Sequence, residues 1–206
     1  RMVEDEADSR MIGSALSTIG RSITRRLLEL AEEELGPPPV PYCFMAMGSM
    51  ARDEQSIVSD QDNALVLSDD FDAAEHDAYF LALARYVSDG LAACGYTYCK
   101  GGIMATSRHW RQPLSVWKGY FRRWIDNPTP EALLHGSVFF DMDGVYGENQ
   151  FVEVLQDLVA EEAAKSRLFL AAMARNALGR TPPLGFFRSF VMEKDGQQNN
   201  TINIKS

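Results

Sequence analysis

The chain has 206 residues, 46% of them hydrophobic, enough to bury a core of one domain with a helical appendage and too apolar for disorder. Its net charge of -9 excludes a sequence-independent nucleic-acid binder, which needs a basic face to displace counterions from phosphates. No uncharged apolar run reaches the length of a membrane span, Arg1 to Arg10 is too charged for a signal peptide, and three cysteines leave an odd thiol, so a reduced cytoplasmic protein without membrane contact is expected.

From Met11 to Leu35, apolar residues recur at helical spacing through Leu16, Ile19, Ile23, Leu27 and Leu30, which predicts an amphipathic helix and an N-terminal helical segment over 1–36. Gly36-Pro37-Pro38-Pro39 ends it, because proline cannot continue the hydrogen-bond ladder. Tyr42 to Met47 reads as a buried strand, Gly48 to Ser59 as a polar loop or short helix, and Asn63 to Leu67 as a second strand. Asp72 to Ala93 has helical spacing with Gly95 as its stop, and Tyr96 to Cys99 is a candidate short strand. Met104 to Arg111 fits strand or loop. Leu114 to Ile125 is an aromatic-rich helix, and Thr129-Pro130-Glu131 opens another in the order of cap and N1 proline.

Ser137 to Phe140 is expected as a third strand, ending in Asp141-Met142-Asp143-Gly144. Glu148 to Leu178 carries one long helical pattern, and Gly185 to Met192 starts another. The expected fold is α/β (α+β): a small mixed sheet over 37–147, preceded by a helix and followed over 148–206 by a helical region that reads as truncated. The start at Arg1 and the stop at Ser206, just after an alternating segment, point to an excised fragment with flanking domains missing.

Chemistry concentrates at Gly48-Ser49 and Asp60-Gln61-Asp62. In an extended segment, residues two apart point to one side, so Asp60 and Asp62 present both carboxylates on one face, as a shared metal centre requires. Magnesium prefers carboxylate, phosphate and water oxygens, and two such ions can activate an attacking oxygen and steady a leaving one. Glycine lets backbone approach a phosphate, while a serine hydroxyl can hold it. A P-loop is excluded, because the spaced Gly-Lys-Ser/Thr signature is absent. Arg52 either meets phosphate or pairs with Asp53 or Glu54; Arg108, Arg111 and Lys118 are further triphosphate candidates, for which surface charge is the commoner fate. His76, His109 and His135 share no spacing and read as structural or exposed rather than catalytic. Cys94 and Cys99 lack a second cysteine pair, so no zinc site is expected, and Trp117, Tyr120, Phe121 and Trp124 read as core.

Gly48-Ser49 with Asp60-Gln61-Asp62-Asn63 resembles the polymerase-beta-type nucleotidyltransferase superfamily, whose pattern is Gly-Ser, a variable gap, then Asp-x-Asp. The chain is more closely similar to the nucleotidyltransferase family related to signal-protein uridylyltransferases and glutamine synthetase adenylyltransferases, often found beside CBS and cyclic-nucleotide-binding modules. Gly101-Gly102-Ile103-Met104-Ala105, Trp110-Arg111 and Phe139-Phe140-Asp141 continue that likeness, and Pro183-Leu184-Gly185-Phe186-Phe187-Arg188 resembles the family's helical companion domain. The resemblance implies that Gly48 and Ser49 contact nucleotide phosphates, that Asp60 and Asp62 hold the metal, and that Asp141 is a third carboxylate, ligating metal and helping to activate the nucleophile. Where the family pattern leads to an arginine two residues after that carboxylate, this chain has Asp143, which leaves Asp141 and Asp143 as alternatives.

The expected activity is Mg²⁺-dependent transfer of a nucleoside monophosphate from a nucleoside triphosphate, ATP or UTP, to an acceptor hydroxyl with release of pyrophosphate. By resemblance the acceptor can be a protein tyrosine in a signalling circuit. A non-catalytic nucleotide-sensing regulatory module is the alternative, and a scaffold that dimerises through its helical regions is the third reading.

Overall fold

Local signals set the element boundaries. A computed structural model describes residues 9–56, 59–178, 193–194 and 200–201. Helix α1 (Ser9–Leu35) stops at Gly36, whose φ of 86° is the left-handed geometry that glycine adopts at low cost. Strand β1 (Tyr42–Met47) follows the proline run, then the one-turn helix α2 (Gly48–Ala51), strand β2 (Asn63–Leu67) and helix α3 (Ala73–Ala93). The Asp72 side chain caps α3 by accepting from the Ala74 N–H. A short 3-10 turn (Arg108–Trp110) leads into strand β3 (Arg111–Pro113) and helix α4 (Leu114–Asp126).

The four-stranded sheet has the order β3-β2-β1-β4, with β4 at Met142–Gly147. Strand β1 pairs antiparallel with β2 and β4, while β2 and β3 run parallel, so the sheet is mixed. Every residue of β1 and β2 is buried, because the sheet is covered on both faces. On one face Phe44, Ala46, Leu65 and Leu67 meet Leu28 of α1 and Phe80, Leu83 and Val87 of α3. On the other, Met45, Met47, Ala64 and Val66 meet Trp117 and Phe121 of α4 and Leu155 of helix α6 (Gln150–Lys165). The aromatic set expected as core lies there.

Three expected elements differ. Ser137 to Phe140 is not a strand: Ser137, Val138 and Phe139 end helix α5 (Pro130–Phe139), and Phe140 is its cap residue. The Thr129 side chain accepts from the Ala132 N–H and Pro130 fills the first turn, so the helix started there runs on to bury Phe139. So short an apolar run has no periodicity able to separate a buried helical turn from a strand. The third long strand is β4, and it starts rather than ends at the acidic residues. The pattern from Glu148 to Leu178 is likewise broken into α6 and helix α7 (Arg167–Leu178). Ser166 sits between them with φ -98° and ψ 90°, and its Oγ accepts from the Phe169 N–H as an N-cap. The break lets Phe169 bury itself beside Phe140, ring centroids 5.4 Å apart.

Tyr96 to Cys99 forms no strand; a single parallel bridge links Thr97 to Asp60. The segment Gly185 to Met192 and the chain's last residues after Thr201 lie outside the described residues. Among the described residues, no helix is long and apolar enough to cross a membrane.

Candidate functional site

Strand β1 delivers the chain to Gly48, where φ is 57° and an added Cβ would lie 2.9 Å from Asp62 Oδ2. Both the backbone conformation and the space therefore require glycine. Ser49 follows in α2 and is buried at 6% exposure. The turn closes through the Arg52 N–H to the Gly48 carbonyl at 3.1 Å and the Glu54 N–H to the Ser49 carbonyl at 2.8 Å.

Asp60 and Asp62 sit in extended backbone that is clamped from three sides. The Gln61 N–H donates to the Thr97 carbonyl at 2.8 Å, the Met47 N–H donates to the Asp62 carbonyl at 3.0 Å, and the Asn63 N–H donates to the Ile103 carbonyl at 3.2 Å. Gln61 is buried and bonds through Nε2 to the Ser88 and Tyr96 carbonyls. Asn63 accepts the Ala105 N–H at 2.8 Å. With the intervening Gln61 anchored in protein, alternation along the strand puts the two aspartates together on the other side.

Their carboxylate oxygens and Cys99 Sγ all lie within 4.8 Å of one another. Burial pushes the Cys99 thiol up from its ordinary value, and its contact with Asp62 adds to that, against backbone donors at Ile103 and Gly101. Two carboxylates suit a hard divalent cation, and the space kept open by Gly48 beside Asp62 lets a ligand approach. The donor set thus fits a metal at Asp60 and Asp62.

The acidic pair at the start of β4 is held elsewhere. Arg52 Nη1 donates to Asp141 Oδ2 at 2.8 Å, while its Nε donates to Glu54 at 2.8 Å. Asp143, opposite Ala46 in the sheet, accepts from Arg21 Nε at 2.7 Å. Arg21 also donates through Nη1 to Asp53 at 2.6 Å and through Nη2 to the Met50 carbonyl at 2.8 Å. The expected phosphate-binding arginine and the expected third carboxylate are therefore bound to each other at the edge of the Gly-Ser turn, and neither Asp141 nor Asp143 joins the Asp60, Asp62 and Cys99 group.

Of the other candidates, Arg111 is buried and committed to Asp77 at 2.9 Å and to the Ala105 carbonyl at 2.7 Å. Lys118 lines a surface groove with Asp157, Glu161 and Glu162 of α6. His76 Nδ1 accepts the Asp72 N–H, His109 stacks on Tyr120, and His135 packs on Trp110, where burial lowers its pKa. Of the group formed with Asp60 and Asp62, Cys99 is the member that spacing did not reveal. Its donor reaches Asp62 through the bridge at Thr97, a long-range pairing without a local sequence signature.

A family model described as "Putative nucleotidyltransferase DUF294" matches residues 1–131, and one described as "Putative nucleotidyltransferase substrate binding domain" matches residues 167–206. No curated protein matches the chain.

Proposed function

We propose a function from one premise: the chain belongs to the nucleotidyltransferase family whose model covers residues 1–131. The protein transfers a nucleoside monophosphate from a nucleoside triphosphate to an acceptor hydroxyl. The observation that carries this reading is the clamped Asp60 and Asp62 pair, whose carboxylates lie within 4.8 Å of each other, with Asp62 Oδ2 only 2.9 Å from where a Cβ on Gly48 would stand. Asp60 and Asp62 would hold Mg²⁺, which would supply neutralisation of phosphate charge and activation of the reacting oxygens.

The remaining roles belong to the chain's own residues. Gly48 admits the phosphates close to backbone, and Ser49 holds them. Arg52 exchanges Asp141 for the triphosphate; a half-exposed ion pair is worth only about 0–1 kcal/mol, so the exchange costs little. Asp141, once released, accepts the proton of the acceptor hydroxyl. The acceptor oxygen then bonds to the α-phosphorus as its bond to the β-phosphate bridge breaks, and pyrophosphate leaves. ATP or UTP is the donor, and a protein hydroxyl docked through the region matched over 167–206 is the acceptor. The free thiols at Cys43, Cys94 and Cys99 suit a reducing cytoplasm.

The test is Asp60→Asn combined with Asp62→Asn, assayed for Mg²⁺-dependent nucleotide binding and pyrophosphate release, with thermal unfolding as the fold control. Loss of both activities with an unchanged melting temperature is expected; unchanged turnover sinks the reading. The Arg52 to Asp141 ion pair favours a second reading, a regulatory module that binds nucleotide and transfers nothing. Labelled triphosphate, Mg²⁺ and cell lysate separate the two, since only the enzyme labels an acceptor and accumulates pyrophosphate.

A further inference from the structure

We propose that Asp60, Asp62 and Cys99 together form a carboxylate and thiolate site that, in the nucleotide-free protein, takes a thiophilic divalent cation such as Zn²⁺ or Cd²⁺ in preference to Mg²⁺. The inference rests on the reading of Asp60 and Asp62 as metal ligands and goes beyond it in the third donor and the ion. The donors lie within 4.8 Å of one another, and tetrahedral zinc places its ligands roughly 3.5 Å apart, so a small contraction closes the site. Magnesium takes oxygen donors in near-octahedral geometry, whereas a thiolate selects softer ions.

The position of Cys99 follows from pairings that also fix the aspartates. Thr97 pairs with Asp60, the Asn63 N–H binds the Ile103 carbonyl, and between them the Gly102 N–H closes a turn on the Cys99 carbonyl at 3.0 Å. The alternative third donors are held away, Asp141 by Arg52 and Asp143 by Arg21. Three protein ligands leave the fourth tetrahedral position for water or a phosphate oxygen, the pattern of an open zinc site. On coordination the thiol releases its proton to solvent. Nucleotide shifts the balance towards Mg²⁺, because phosphate oxygens add hard donors; without nucleotide, trace zinc holds the site and opposes Mg²⁺.

Titration with Cd²⁺, followed by ultraviolet thiolate-to-cadmium absorption and by equilibrium dialysis, tests this. The parent protein carries Cys94→Ser, because Cys94 is exposed while Cys43 is buried. One equivalent of Cd²⁺ with a charge-transfer band is expected in the parent. Cys99→Ser should abolish the band and weaken binding about tenfold or more. Asp60→Asn with Asp62→Asn should weaken binding while the thiol remains, a readout that does not require the Cys99 variant to fold. A band that survives Cys99→Ser overturns the proposal. Cd²⁺ bound without a band overturns the thiolate ligand and leaves the carboxylate metal site standing; a parent that binds neither Cd²⁺ nor Mg²⁺ with nucleotide overturns both.

Discussion

At Gly48, conformational freedom and site geometry make the same demand. Alanine there adopts a left-handed backbone at a cost of about 1–2 kcal/mol and pushes its Cβ to 2.9 Å from Asp62 Oδ2. Gly48→Ala should therefore lower stability by that amount in urea unfolding and raise the KM for Mg²⁺ with nucleotide further than the fold loss explains, because Asp62 must turn away. A matched loss in both would mean that only strain is involved. Arg52→Gln isolates a different contribution. The ion pairs of Arg52 are half-exposed, so urea unfolding should move by no more than about 1 kcal/mol, whereas nucleotide affinity should fall about tenfold if Arg52 leaves Asp141 for phosphate. The convergence of Asp60 and Asp62 and the need for glycine at position 48 were legible in the sequence because strand alternation and backbone conformation are local. Cys99 and the hold of Arg52 on Asp141 were not, since contacts between positions 62 and 99 or 52 and 141 exist only once the sheet and its loops have formed.

Helix α1 reaches both the Gly-Ser turn and β4 through Arg21. Arg21 spans the carboxylates of Asp53 and Asp143 and the Met50 carbonyl, tying α1 to both the Gly-Ser turn and β4. Its planar fork serves partners in several directions, which a lysine ammonium on a flexible stem does not. Arg21→Met should cost about 1–2 kcal/mol in urea unfolding, because the hydrogen bonds of a largely buried guanidinium are lost while the half-exposed Asp53 and Asp143 are taken up by water. It should also weaken Mg²⁺-dependent nucleotide binding, and Arg21→Lys should recover less than half of either loss. The helix itself was plain in the sequence from its long apolar periodicity, but this anchoring was not, as an arginine on the polar side of an amphipathic pattern reads as solvated. The opposite difficulty arose at Ser137 to Phe140, where the apolar Val138, Phe139 and Phe140 suited a strand and the capping signal that begins at Thr129, eight residues before Ser137, decided for helix. At Ser166 a cap inside an unbroken apolar pattern was hidden for the same reason: periodicity continues on both sides of the break.

Among the described residues, two buried clusters lie on opposite faces of the four-stranded sheet, and β1 contributes alternate residues to each, Phe44 and Ala46 to one and Cys43 and Met45 to the other. Composition and the strand runs made a buried mixed sheet readable in advance; which helices cover which face is set by long-range packing and was not. Burial at the centre of this arrangement gives the protein a defined alkaline limit. Burial pushes the Cys43 thiol up from 9.0 to about 12, with Asp143 and Glu148 adding to it. Burial likewise raises Tyr79 from 10.0 to about 12, and Tyr42, buried and bonded to Glu32, is raised as well. Between pH 9.0 and about 12 the unfolded chain has released the Cys43 proton and the folded chain has kept it, so the unfolded state binds fewer protons and stability falls as pH rises. Below that window this contribution is fully present. Each such group takes away about 1.4 kcal/mol per pH unit within its own window. Urea midpoints should thus be flat with respect to these groups up to about pH 9 and fall progressively above it, and Cys43→Ala should lower the midpoint at neutral pH while making the alkaline slope shallower. Parallel slopes in the parent and variant would show that Cys43 is not the source of the alkaline loss.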